Sequence, residues 1–143
     1  MKKGDIIFTL LSVLLIGAVL FGISLPRLKR WNQSMACGNR AIAISFGARV
    51  WAGDNNHRLP DNFMCMSNEL VSPQFVMLCP SDKVRKPAAD WGSFTTNNTS
   101  YEIIGSNLPD DDFTNAFVRC GIHGNLGYAD GTYFDGHSRK AKW

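Results

Sequence analysis

Four cysteines, Cys37, Cys65, Cys79 and Cys120, and the spacing Cys120-Gly121-Ile122-His123 are the features of this 143-residue chain best suited to chemistry. A thiol can ligate a metal, attack as a thiolate, or pair with another thiol. Zinc sites usually show two close ligand pairs, and here only one C-x-x-H occurs, with Asp130, Asp135 and His137 further along. Disulfide use of Cys120 and turn use of Asp130 explain the same residues, so no metal site is expected. Asp110-Asp111-Asp112 offers oxygen ligands for calcium, but the spacing fits no calcium loop, and a solvated acidic turn accounts for it. A cysteine nucleophile needs a histidine base and an orienting partner, and four cysteines able to pair with one another argue against a free thiolate outside the cytoplasm. The expectation is a non-enzymatic protein without a cofactor, its cysteines used as disulfides, for which four cysteines allow three pairings.

The elements that must position these residues start with an uncharged apolar run over residues 6–25. About 20 residues at roughly 1.5 Å rise span about 30 Å, the thickness of a bilayer's hydrocarbon core. The run follows MKKGD and precedes Pro26 and the basic residues Arg27, Lys29 and Arg30. Lys2 and Lys3 are outnumbered by these and Arg40, so flanking charge does not fix the orientation. A cleaved signal would have a shorter apolar region ending in small residues, unlike Leu25-Pro26-Arg27. A lipoprotein cysteine at Cys37 would be separated from the run by RLKRWNQ. About 115 residues follow the anchor, enough for one small domain. The net charge of +3 lies largely beside the anchor, which leaves no basic face for nucleic acid.

Beyond Pro26 the pattern predicts a continued helix to a stop at Gly53-Asp54-Asn55-Asn56. At 100° per residue it has two apolar faces. Cys37, Ala41, Ile44, Ala48 and Trp51 share one; Met35, Ile42, Ala43, Phe46 and Val50 share the opposite one, with Ser45 and Arg49 on a polar strip between. One face is expected to pack on the domain. The other has two candidate partners, the same domain's core or a second subunit. A short helix is expected over residues 64–70 and a strand over 74–79. A long loop follows over 83–98, pinned by Trp91 and Phe94. Further strands are expected over 100–104, 116–120, 124–128 and 131–134, with Asp130-Gly131 forming a tight primed hairpin turn.

This arrangement resembles a type IV pilin or a type II secretion pseudopilin: a short basic leader ending in glycine, an apolar helix ending in Leu-Pro, an amphipathic continuation and a small sheet. Cys37-Gly38-Asn39-Arg40-Ala41, Val50-Trp51-Ala52-Gly53-Asp54-Asn55, Leu78-Cys79-Pro80-Ser81-Asp82 and His123-Gly124-Asn125 leading to Ala129-Asp130-Gly131 resemble the pilin-like proteins with an H-X9-DG C-terminus found in verrucomicrobial and planctomycete bacteria. The resemblance implies an α+β pilin-like fold, with a leader over residues 1–4, a transmembrane and filament-core helix over 5–26, its amphipathic continuation over 27–56 and an exported β domain over 57–143. It implies cleavage by prepilin peptidase between Gly4 and Asp5, a single-pass inner-membrane protein with its C-terminal domain in the periplasm, and assembly with other pilin or pseudopilin subunits. Asp5 and Thr9 stand where the family usually has phenylalanine and glutamate. Minor subunits at filament tips can lack that glutamate, so a minor subunit is implied rather than a bulk one. The family's cysteine positions imply the pairing Cys37-Cys79, leaving Cys65-Cys120. That pairing would fix the Cys37 face of the helix to the sheet and leave Ile42, Phe46 and Val50 for filament neighbours.

Overall fold

The computed structural model describes residues 3–136 and 139–141. The chain divides into two compact units, Met1–Asn32 and Gln33–Trp143. One α-helix, α1, runs over Lys3–Gly53, with Pro26 inside it. Pro26 has no N–H, so one backbone bond of that turn is missing. Among the described residues of the first unit the large apolar side chains lie in the open: Leu14 and Leu15 are 70% and 71% exposed. By length and composition α1 is able to cross a membrane.

The second unit is α+β. After α1 come a short helix α2 (Pro73–Val76) and strands β1 (Tyr101–Ile103), β2 (Val118–Cys120), β3 (Leu126–Gly127), β4 (Thr132–Phe134) and β5 (Arg139–Ala141). The strands form an antiparallel meander in that order. Each pairs with its chain neighbour, as in Tyr101 opposite Cys120 and Gly127 opposite Tyr133. The core lies between the C-terminal half of α1 and the sheet, with Ile44, Met66, Met77, Phe117 and Val118 inaccessible to solvent. Trp91 and Phe94 pack against it and hold the long loop, with Phe94 also meeting Phe63 edge-on at 6.2 Å.

Two close approaches set the helix on the sheet. A Cβ at Gly127 would lie 2.5 Å from the Ala41 carbonyl oxygen, so only glycine lets β3 cross α1 there. A Cβ at Gly38 would lie 2.5 Å from the Tyr133 ring, which occupies that gap. Ser45, expected on a polar strip, is wholly buried at the same crossing, whereas Arg49 is exposed and sits 5.1 Å over the Phe113 ring.

Three local expectations are corrected. Residues 74–79 are not a strand: Pro73 opens α2, its fixed φ suits the first helical turn, and the Met77 N–H closes on the Pro73 carbonyl at 3.1 Å. Residues 64–70 form turns held by bonds such as Ser67 N–H to Met64 and Glu69 N–H to Met66, each spanning three residues, instead of a helix. The β3–β4 hairpin forms at Asp130-Gly131, but Tyr128 pairs with Thr132 and Gly131 alone takes a positive φ of 82°. This is a three-residue loop with glycine in the left-handed position, not a two-residue primed turn.

Candidate functional site

The sheet and helix bring together four groups that the sequence scatters. Cys37 comes from the middle of α1, Cys79 from the segment after α2, Cys120 from the end of β2, and His123 from the turn that follows. Their ligating atoms, three sulfurs and one imidazole nitrogen, all lie within 4.8 Å of one another. Cys37 and Cys120 are 0% exposed and Cys79 2%.

Each contributor is held by its own backbone. The Cys120-to-His123 turn closes with the Gly124 N–H on the Cys120 carbonyl at 2.9 Å, and Gly124 supplies the positive φ of 70° that the exit requires. Asn125, fully buried, returns the chain to α1 by donating its side-chain amide to the Ser34 carbonyl at 2.9 Å. Cys79 is fixed from both sides: the Arg40 guanidinium donates to the Leu78 carbonyl, and the Cys79 N–H donates to Ser100 Oγ at 3.0 Å. Tyr101 Oη lies 3.1 Å from the Cys37 carbonyl oxygen and 3.4 Å from its sulfur.

Backbone donors point at two sulfurs. The Ile122 N–H lies 3.4 Å from Cys120 Sγ and the Ser81 N–H 3.5 Å from Cys79 Sγ. His123 turns Nδ1 to Cys79 Sγ at 3.1 Å and Nε2 to Ser81 Oγ at 3.2 Å, and that hydroxyl is 3.2 Å from Gln33 Oε1 on α1. The thiols are electrostatically unequal. The Cys120 thiol is held below its ordinary range by the hydrogen bond from Cys37, helped by the backbone N–H groups of His123 and Ile122 against the effect of burial. The same bond to Cys120, together with burial, pushes Cys37 far up, and burial also raises Cys79. Such a cluster can pair two of its sulfurs or use all four groups together as ligands.

All four cysteines are free thiols in this structure. Cys37 and Cys79, expected to pair, are neighbours, but Cys120 shares their cluster. Cys65, expected to pair with Cys120, is exposed and outside the cluster. Its N–H bonds Asn62 Oδ1 at 3.0 Å and its sulfur faces Asp61 Oδ1 at 3.9 Å. The pairing divides four cysteines into two pairs, whereas the fold gathers three of them with a histidine. Asp110 and Asp112 use their carboxylates locally, on His57 at 3.1 Å and on Thr114 and Asn115. Asp130 accepts the Thr132 N–H at 2.9 Å in the hairpin turn. His137 lies outside the described residues.

Of the expected filament face, Phe46 and Val50 are 56% and 44% exposed, but Ile42 is only 5% exposed and belongs to this unit's own interior. A helical face drawn at 100° per residue does not show how far the domain wraps round it, and here it wraps past Ile42. Gly4 and Asp5 fall within α1. No family model, curated protein or solved structure matches this chain.

Proposed function

We propose that this protein is a membrane-anchored structural subunit, a minor pilin or pseudopilin of a type IV pilus or type II secretion-like filament, and not an enzyme. The observation that carries this reading is the single helix α1. Its apolar run over residues 6–25 carries no charge and its described large apolar side chains are exposed, while its C-terminal part is embedded in an α+β domain yet still presents Phe46 and Val50 to solvent. One such helix suits two successive environments. In the inner membrane, lipid covers the apolar half and the domain lies in the periplasm. In a filament, neighbouring subunits replace the lipid around that half, and Phe46 and Val50 extend the contact. Prepilin peptidase would act between Gly4 and Asp5.

A second reading, an anchored domain that binds a ligand or partner without assembling, draws on two observations. Thr9 cannot offer the carboxylate that pairs a neighbour's N-terminal amine in an apolar core. In addition, a groove of about 640 Å³ is lined by Phe63, Met64, Phe94, Tyr101 and Ile103, within the size range of small-molecule sites. The mass of the mature N-terminus separates the two readings. Loss of residues 1–4 together with recovery of the protein in a sheared surface fraction is the result expected of a subunit. An intact N-terminus on a protein found only in membranes overturns the filament reading and leaves the anchored binding domain.

A further inference from the structure

We propose that Cys37, Cys79, Cys120 and Nδ1 of His123 bind one zinc ion in a closed structural site that joins α1 to the sheet. The donor set is three sulfurs and one imidazole, a standard set for structural zinc. Zinc–sulfur bonds of about 2.3 Å and zinc–nitrogen bonds of about 2.0 Å in a tetrahedron place the donors about 3.5 to 3.8 Å apart. The four donor atoms already lie within 4.8 Å of one another, so small side-chain adjustments bring them to that spacing.

The surroundings are those of a ligand set. His123 presents Nδ1 to the sulfurs, while Nε2 is placed to donate to Ser81 Oγ, which in turn donates to Gln33 Oε1. That relay fixes the tautomer that leaves the Nδ1 lone pair free for a metal. The Ile122 and Ser81 N–H groups aimed at Cys120 and Cys79 offset thiolate charge in a buried place. On binding, each thiol still protonated releases its proton to solvent.

Four protein ligands complete the tetrahedron and leave no position for substrate, so the ion is structural. A disulfide between any two of the sulfurs would leave the third buried beside the histidine, its role unexplained. The zinc would tie three segments, at residues 37, 79 and 120–123, into one node. This inference is independent of filament assembly and stands or falls without it.

The test uses the full-length chain purified in detergent from zinc-supplemented cells under reducing conditions. One zinc per chain is expected by elemental analysis. In the native protein only Cys65 should react with a thiol reagent, the other three cysteines appearing when a chelator strips the metal. Cobalt exchanged into the site should give the sulfur-to-cobalt charge-transfer band and strong visible absorption of a tetrahedral thiolate complex. Cys65→Ser should keep full zinc, and Cys120→Ser and His123→Ala should lose it. The proposal is overturned if the wild-type chain holds no stoichiometric zinc and gives no thiolate–cobalt band. Peptide mapping of a Cys37–Cys79 disulfide in protein from its own envelope, or full zinc in Cys120→Ser, also overturns it. The wild-type measurements decide even where a ligand variant fails to fold.

Discussion

Asp82 is the residue through which a small change should reach the cluster. Its side chain is 1% exposed. It accepts bonds from Ser100 Oγ at 2.6 Å, the Val84 and Arg85 N–H groups at 2.9 and 3.0 Å, and the Arg85 guanidinium at 2.9 Å. Burial works against its charge, but the Ser100 hydroxyl and the Arg85 and Val84 donors outweigh it and hold the carboxyl well below the usual aspartate range. Ser100 in turn accepts the Cys79 N–H, so this carboxylate orients the segment that carries Cys79. Asp82→Asn should cost about 1–3 kcal/mol at neutral pH by denaturant unfolding. Because the folded carboxyl is the more acidic, its contribution is complete above the unfolded value of about 3.9 and is lost as pH falls below it. The gap between wild type and variant should therefore close as pH is lowered from roughly 5. At Gly127 the obstacle is steric: Gly127→Ala drives a methyl to 2.5 Å from the Ala41 carbonyl oxygen, and an overpacking cost of about 1–3 kcal/mol should appear as a lower Tm. The sequence displays Cys120 and His123 as a pair, yet nothing in it gives Gly127 or Asp82 these duties, because both depend on what lies across the fold.

Among elements, α1 was the most legible, since a long apolar run followed by helical periodicity up to Gly53-Asp54 leaves few alternatives. The strands β1 to β4 were also readable from their alternation and the Asp130-Gly131 turn. Residues 74–79 were not, because an apolar run records burial without distinguishing a strand from a short helix and a buried turn. The two faces of α1 are likewise a matter of tertiary wrapping. Phe46→Glu on the exposed side should change the domain's stability by no more than about 0.5 kcal/mol. On the filament reading it should still deplete the sheared surface fraction. Recovery of Phe46→Glu protein in that fraction at wild-type levels would remove Phe46 from the assembly surface. Ile42→Glu, by contrast, places a charge at a 5% exposed position and should prevent folding of the domain itself.

For the whole molecule the decisive manipulation is at the N-terminus. On the filament reading, Gly4→Leu should block cleavage, retain residues 1–4 by mass, keep the protein in the membrane and abolish surface material. Unchanged surface material from Gly4→Leu would show that assembly does not pass through this processing step. The sequence by itself determined that a hydrophobic helix long enough to cross a bilayer precedes a small α+β domain, because length, periodicity and turn chemistry are local properties of the chain. Only the tertiary structure decided which cysteines meet. Residues 37, 79 and 120 are far apart in sequence, and their meeting depends on α1 crossing the sheet at Gly127, the turn after α2, and the tight exit at Gly124. A ligand set assembled from three separate segments has no spacing to read, so its chemistry becomes visible only when the chain has folded.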